Sequence, residues 1–404
     1  MVVGIICEYN PFHNGHLYHI NKIREEFGHD TVIVAVMSGN FVQRGAVAIA
    51  DKSLRAKCAV MSGVNLVLEL PFPYSMSSAE FFASSAVHIL NSLGCIDYIS
   101  FGSESGDIDT LLAVAKAMLS DEYKEAYRKI SDDNNNKKLG HPQMCEAALK
   151  QVIRSYDFAF SFTPNNILAI EYLKALAVQN SGIKPHTVKR VGSDFDEMTI
   201  VPGEIQSATA IREIIGKKDI SALQYIPTIT KGEFLDAIEA GEFPCDSERL
   251  STAIISSFRI NPLAEGCNIH DAAGGLYNRL RDLSFETDSF EKLVCLAETK
   301  KFTRARIQRA ILYSLLSVTS SHVRTMPLYT QILALDTAGR TILKDIRKHS
   351  DFPILTKPSD VEILSDGALL QKELSDRADS VFQLTKPSYK DGRASVRFTP
   401  YVKK

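Results

Sequence analysis

Residues Val2–His19 read VVGIICEYNPFHNGHLYH. The first six, VVGIIC, are a short apolar run, the pattern of a strand covered on both faces of a parallel sheet. A polar loop follows, and the spacing then predicts a helix from about His16 to Phe27. Asn10–His16 (NPFHNGH) therefore falls at the carboxyl end of a first strand, where open α/β sheets hold their ligands.

The same alternation continues outward. Strands are predicted at Thr31–Met37, Asn65–Leu70 and Asp97–Phe101, the last ending at Gly102, with helices at Lys52–Met61 and Ala79–Leu93 between them. Such alternation specifies an α/β fold with a parallel sheet. Asp121–Lys150 reads as charged helix broken by an exposed loop at Ser131–Lys138. A helix at Asn165–Val178, a fifth strand at Thr187–Val191 and a helix at Ser207–Ile215, capped by Ser207, follow. Beyond Gly216 helical periodicity dominates, at Glu248–Phe258, Phe290–Thr299 and Thr303–Leu316, with a β-rich tail at Ser395–Val402. The expected division is residues 1–215 and a mainly helical 216–404.

HxGH at a strand–helix junction has a physical logic. A helix N-terminus offers free N–H groups and positive potential to an anion. Gly15 permits close approach of a phosphate, and His13 and His16 stand three apart on one face, where they stabilise charge on a phosphoryl group and on departing pyrophosphate. A surface turn with satisfied histidines is the bland alternative, and the first-strand position favours the functional reading. Ser207-Ala208-Thr209-Ala210-Ile211-Arg212 sets two hydroxyls at a helix start with a guanidinium one turn later, a second anion-binding set. Alone it is a capped helix; with HxGH it would clamp a triphosphate from the other side.

These segments resemble the HxGH nucleotidyltransferase superfamily, SATAIR standing where relatives carry an ISSTxIR-like motif. GIICEYNPFHNGHLYH, VMSGNFVQRG (Val36–Gly45), LVLELPFPYS (Leu66–Ser75), FGSESGD (Phe101–Asp107), PNNILAIEYL (Pro164–Leu173) and SATAIR together resemble the tRNA(Met) cytidine acetate ligase family, as does KFTRARIQRAILYSLL (Lys301–Leu316) in the helical half. The resemblance implies a Rossmann-like nucleotidyltransferase domain followed by a mainly helical tRNA-binding domain. It implies an ATP-dependent ligase that joins acetate to the wobble cytidine N4 of elongator tRNA(Met) through acetyl-adenylate, with Mg²⁺ accompanying ATP. His13, His16, Thr209 and Arg212 would be catalytic. The implied ATP site spans Ile6, Cys7, Glu8, Tyr9, Asn10, Pro11, Phe12, His13, Asn14, Gly15, His16, Leu17, Tyr18, His19 and Ile20, with Gly102, Asn165, Arg190 and Ser207; Asn166 rivals Asn165. Glu8, Asn10 and Gln43 are candidates for sugar or acetate, and Lys52 and Arg55 for phosphate or RNA, against a solvated helix face. A small-molecule adenylyltransferase or pantothenate-synthetase-like carboxylate-activating enzyme, and a non-catalytic RNA-binding module, are the competing readings.

The 404 residues carry 46 Lys+Arg and 48 Asp+Glu, a net charge of −2, which argues against a uniformly basic coat. By segment, residues 1–215 are net −5, and residues 301–350 hold 9 basic and 2 acidic residues. Lys301, Arg304, Arg306 and Arg309 are thus candidate tRNA phosphate contacts, against the alternative of a solvated helix face.

The seven cysteines are scattered and never form CxxC, so neither a structural zinc site nor a disulfide framework is expected. No run approaches the ~18 apolar residues of a membrane span. The N-terminal apolar run lacks a basic flank and meets Glu8, unlike a signal peptide. The chain is expected in the cytoplasm, with no metal-ligand set and no protein partner.

Overall fold

A computed structural model describes residues 1–133, 140–153, 160–190, 206–260, 268–389, 391–393 and 398–403. In chain order the elements are β1 (Val2–Cys7), α1 (Asn14–Phe27), β2 (Val32–Ser38), β3 (Phe41–Val42), β4 (Ala46–Val47), α2 (Lys52–Met61), β5 (Leu66–Leu70), α3 (Ala79–Ser92) and β6 (Tyr98–Ser103). Then come α4 (Ile108–Leu119), α5 (Asp121–Asp132), α6 (His141–Val152), α7 (Pro164–Val178), β7 (Lys184–Lys189), α8 (Ala208–Gly216), α9 (Lys231–Glu239) and α10 (Ser251–Ile260). The chain closes with α11 (Leu276–Leu283), α12 (Phe290–Ala297), α13 (Arg304–Leu316), α14 (Ser320–Arg324), β8 (Thr330–Leu335), α15 (Thr337–His349), β9 (Ile354–Leu355), α16 (Asp366–Phe382) and β10 (Tyr401–Val402).

The sheet runs β10-β8-β5-β2-β1-β6-β7, with β9 beside β8. Strands β5, β2, β1, β6 and β7 are mutually parallel, and β8 lies antiparallel to β5. Alternate residues divide between the two faces, as the pleat requires. Val34 and Val36 join a core with α3 and α7, while Ile33, Ala35 and Met37 join one with α1, α2 and α8. Both faces are covered, which is why the first strands read as continuous apolar runs.

The sheet draws strands from both sides of the expected boundary at residue 216. β8 pairs with β5 and β10 with β8, so the end of the chain returns to the layer that residue 2 begins. A third core joins Phe41, Phe72 and Met76 to α10–α13 and α16. Gly45 shows how close the halves approach: its φ is +79°, and a Cβ there would stand 2.5 Å from the Arg309 nitrogen. The second half also carries β8, which its helical periodicity did not suggest. TQILAL is a buried strand whose partner, β5, lies more than 250 residues earlier.

Gly102 lies within β6, one residue beyond the expected strand end. Most of the loop predicted at Ser131–Lys138, Val191 of the fifth strand and residues 395–397 of the predicted tail fall outside the described residues.

Candidate functional site

A cavity of about 470 Å³ opens at the carboxyl ends of β1, β6 and β7, walled by α1, α7, α8 and the β3–β4 hairpin. His13 is the N-cap of α1. Its Nδ1 accepts a hydrogen bond from the Gly15 N–H at 3.0 Å, and its own N–H donates to His16 Nδ1 at 3.2 Å. A ring nitrogen that accepts from N–H carries no proton. Both imidazoles therefore keep their single proton on Nε2. The rings lie 3.8 Å apart between centroids. Burial lowers the His13 pKa to about 3, with Arg190 and Arg212 adding to the effect. Burial, then His13, Arg190 and His19, holds His16 well below its ordinary value. HxGH is thus a capping box that presents two neutral N–H donors beside a helix N-terminus.

SATAIR faces it. Ser207 Oγ caps α8 by accepting from the Ala210 N–H at 3.2 Å. The Arg212 guanidinium donates to the Asn10 carbonyl at 2.8 Å and to Thr209 Oγ1 at 3.0 Å, which ties α8 to the loop after β1. On the third wall Asn165 Nδ2 donates to Glu104 Oε1 at 2.6 Å. Gly102 underlies Arg190, whose Cγ would be 3.3 Å from a Cβ at that position. Four lining cations (Arg44, Lys189, Arg190 and Arg212) and two neutral imidazole donors suit an anionic ligand, and the apolar wall of Phe101, Leu168, Tyr172 and Val188 suits a flat base.

His13, His16, Thr209 and Arg212 all line this cavity, as do Ile6, Cys7, Glu8, Tyr9, Asn10, Gly15, Tyr18, His19, Gly102, Asn165, Arg190 and Ser207. Five residues of the expected stretch do not. Pro11, Phe12 and Ile20 are buried, and Phe12 and Ile20 pack in the core between α1 and the sheet. Asn14 and Leu17 are half-buried on α1, Leu17 packing against the same core, and neither lines the cavity. Of Asn165 and Asn166, it is Asn165 that lines the cavity. Asn166 is buried and its Oδ1 accepts from Glu104 N–H at 3.0 Å, holding the loop rather than facing the cavity.

Lys52 and Arg55 are corrected outright as phosphate or RNA contacts. Lys52 Nζ sits between Glu69 and Asp379, and Arg55, fully buried, donates to the carbonyls of Glu8, Ser38, Gly39 and Ala50. Through those carbonyls Arg55 fixes the ends of β1 and β2 that carry the site.

The cations at and just before α13 also find partners within the protein. Arg309 pairs with Asp271 at 2.5 Å and is buried. Arg306 donates to the carbonyls of Asp271 and Ala273, Arg304 pairs with Glu291, and Lys301 donates to the Gly274 carbonyl at 2.9 Å. None of the four lines the cavity, but Ala305 from the same helix does. Arg340, Lys344, Arg347 and Lys348 lie exposed on α15. That helix starts beside Asn65, at the head of β5, and Ser350 after its end bonds to Ser92, just before β6. This is the amino end of the parallel strands, opposite the cavity.

Sequence reasoning missed Arg44, Lys189 and Tyr172, which also line it. Arg44 and Tyr172 lie within quoted motifs, but nothing in those strings says which side chain points inward.

The family model described as HIGH Nucleotidyl Transferase matches residues 1–395, and fold and site together define a nucleotidyltransferase of that class. A tRNA(Met) cytidine acetate ligase of Thermoanaerobacter sp. (strain X514) is 39% identical, covering 92% of this chain and 93% of its own. One from Acetivibrio thermocellus is 36% identical over 99% of each. The crystal structure of Thermotoga maritima TmcAL bound with alpha-thio ATP superposes with a TM-score of 0.88, at 31% identity and 99% coverage of both chains. The chain belongs to the tRNA(Met) cytidine acetate ligase family.

Proposed function

We propose that the protein activates acetate with ATP and transfers the acetyl group to the wobble cytidine N4 of elongator tRNA(Met). The observation that carries this reading is the pair of neutral Nε2–H donors on His13 and His16, set at the N-terminus of α1 and opposed by Arg212. In the first step an acetate oxygen attacks the α-phosphorus of ATP. The bond from that phosphorus to the bridging oxygen breaks, and pyrophosphate leaves. His13 and His16 donate to phosphate oxygens as charge builds on them, without giving up a proton; Thr209 and Arg212 hold the chain from the α8 side. In the second step the N4 lone pair attacks the acetyl carbonyl, the bond to AMP breaks, and one N4 proton is lost. Neither step needs a protein nucleophile, so positioning supplies much of the rate.

Gly102, Asn165 and Arg190 take the nucleoside end of ATP, and Ser207 the phosphate end. Mg²⁺ enters only as the companion of ATP. Among the described residues no group of three or more His, Cys, Asp or Glu is placed to hold a metal, and no step here runs through one. For tRNA the half-exposed Arg304, at the start of α13, and the exposed Lys301, just before it, remain the proposed contacts. Arg306 and Arg309 are instead given to holding Ala273 and Asp271. A tRNA substrate would place the enzyme in the cytoplasm; no helix among the described residues is long and apolar enough to cross a membrane.

The test is incubation with ATP, labelled acetate and elongator tRNA(Met) transcript. Acetylated cytidine and AMP should form only with all three present. Label captured by a small amine but never by tRNA would support the pantothenate-synthetase-like reading. Binding of tRNA with no AMP under any condition would support the RNA-binding module.

A further inference from the structure

A chain of four side chains runs from the cavity to the surface. His19, which lines the cavity, places Nε2 2.8 Å from Ser100 Oγ on β6. The same Oγ lies 2.9 Å from His186 Nδ1 on β7, and His186 Nε2 lies 2.8 Å from Glu26 Oε2 at the end of α1. Ser100 is fully buried, the His186 side chain is 10% exposed, and that of Glu26 is 59% exposed. Phe27 packs edge-on against the His186 ring at 4.9 Å. The cavity-lining His19 is thereby linked to a solvated carboxylate through buried groups.

The chain has a direction. An ionised carboxylate only accepts, so a neutral His186 carries its proton on Nε2 and leaves Nδ1 as acceptor. Ser100 then donates to His186, and its oxygen accepts from His19 Nε2–H. His19 is left with a bare Nδ1. Its pKa is lowered to about 4, chiefly by burial, which keeps that ring neutral.

The position of His19 says what it meets. The phosphate donors His13, His16 and Arg212 gather where α1 and α8 begin. His19 lies one turn further along α1, and its partner Ser100 is two residues before Gly102 on the wall with Phe101 and Val188. That wall is the nucleoside end of the cavity. We propose that Glu26, His186 and Ser100 are positioning residues that fix His19 as a hydrogen-bond acceptor for an N–H or O–H donor on the nucleoside of ATP. The proposal rests on the ATP reading of this cavity. The donor is a ribose hydroxyl or the purine amine, chemically alike to a bare imidazole nitrogen.

The experiment combines ¹⁵N-histidine NMR with calorimetric ATP binding on the full chain, unaltered and as Glu26→Ala and Ser100→Ala. The unaltered protein should show His19 protonated on Nε2. Both variants should lose that preference and bind ATP roughly 2- to 10-fold more weakly, the range of one hydrogen bond. Glu26 is solvated, so its variant carries the test if Ser100→Ala does not fold. Repeating the binding with 2′-deoxy-ATP, 3′-deoxy-ATP and purine riboside triphosphate locates the donor, because the analogue lacking it should show no further loss in Glu26→Ala. A proton on His19 Nδ1 in the unaltered protein at pH 7.5, including one imposed by a doubly protonated His186, overturns the proposal. So does undiminished ATP affinity in both variants, or a full loss with every analogue. If the unaltered protein binds no ATP at all, the ATP reading fails instead, and the NMR result still decides the relay.

Discussion

Lys52 Nζ stands 2.5 Å from Asp379 Oδ2, joining α2 to α16 across 327 residues of sequence. Glu69 Oε1 lies 2.7 Å from the same nitrogen, and Asn40 Nδ2 donates to the other Asp379 oxygen at 2.8 Å. Burial alone would lower the Lys52 pKa; Asp379 and Glu69 outweigh it and hold the ammonium charged. One buried cation thus ties the second strand's loop to the last long helix.

Lys52→Met should cost about 3–5 kcal/mol, the usual loss when one member of a buried pair is removed, because two carboxylates remain without a counter-ion. Asp379→Asn should cost less, since Lys52 keeps Glu69. Urea unfolding of both variants is the check, and equal losses would contradict the shared-cation account.

His13 is a helix cap and, in the proposed reaction, also a phosphate donor. His13→Ala should lose both: about 1 kcal/mol of stability and roughly 10²–10³-fold in adenylate formation. His13→Asn keeps an oxygen that accepts from Gly15 N–H, so it should regain the stability without the activity. Pyrophosphate release alongside thermal melting separates the two, and an active Asn variant would remove His13 from the chemistry.

The same residue sets an acid limb. His13 titrates near 3 in the folded chain and near the ordinary 6.5 when unfolded. The unfolded state therefore binds its proton first as pH falls. The stability that neutral His13 contributes is complete above about pH 6.5 and is lost as pH drops toward 3. His13→Asn should flatten this limb in stability measured between pH 7 and 4. An unchanged slope would mean that the ring is not held neutral.

The α13 cations should separate by burial. Arg309→Met should lower the melting temperature, since it strands the Asp271 carboxylate, while ATP binding stays the same. Lys301→Glu with Arg304→Glu should instead weaken tRNA binding at low salt and flatten its salt dependence. If tRNA affinity is unmoved across salt concentrations, the RNA docks elsewhere.

Much of the site was legible because its chemistry is local. HxGH spans four residues of one turn, and SATAIR one turn of another helix, so string and geometry nearly coincide. The strands from Val2 to Ser103 were legible for a related reason: burial on both faces forces continuous apolar runs. Lys52, Arg55 and Arg309 were not legible as buried ties. A cation on a helix reads as solvated until its partners are known, and Asp379 and Glu69 are brought to Lys52 only by folding. Net charge is blind in the same way, since summing residues 301–350 does not separate cations paired with Asp271 and Glu291 from those facing water.

By itself the sequence determined the parallel strands of the first half, the HxGH helix start after the first of them and the capped start of α8, because each is written in neighbouring residues. The tertiary structure alone decided that β8 closes the sheet and that Arg55 holds the loops. It also decided that the exposed basic face of α15 lies opposite the cavity and that His19 is wired to Glu26. Those relations join residues far apart in the chain, and distance, direction and burial come into being only when the chain is packed.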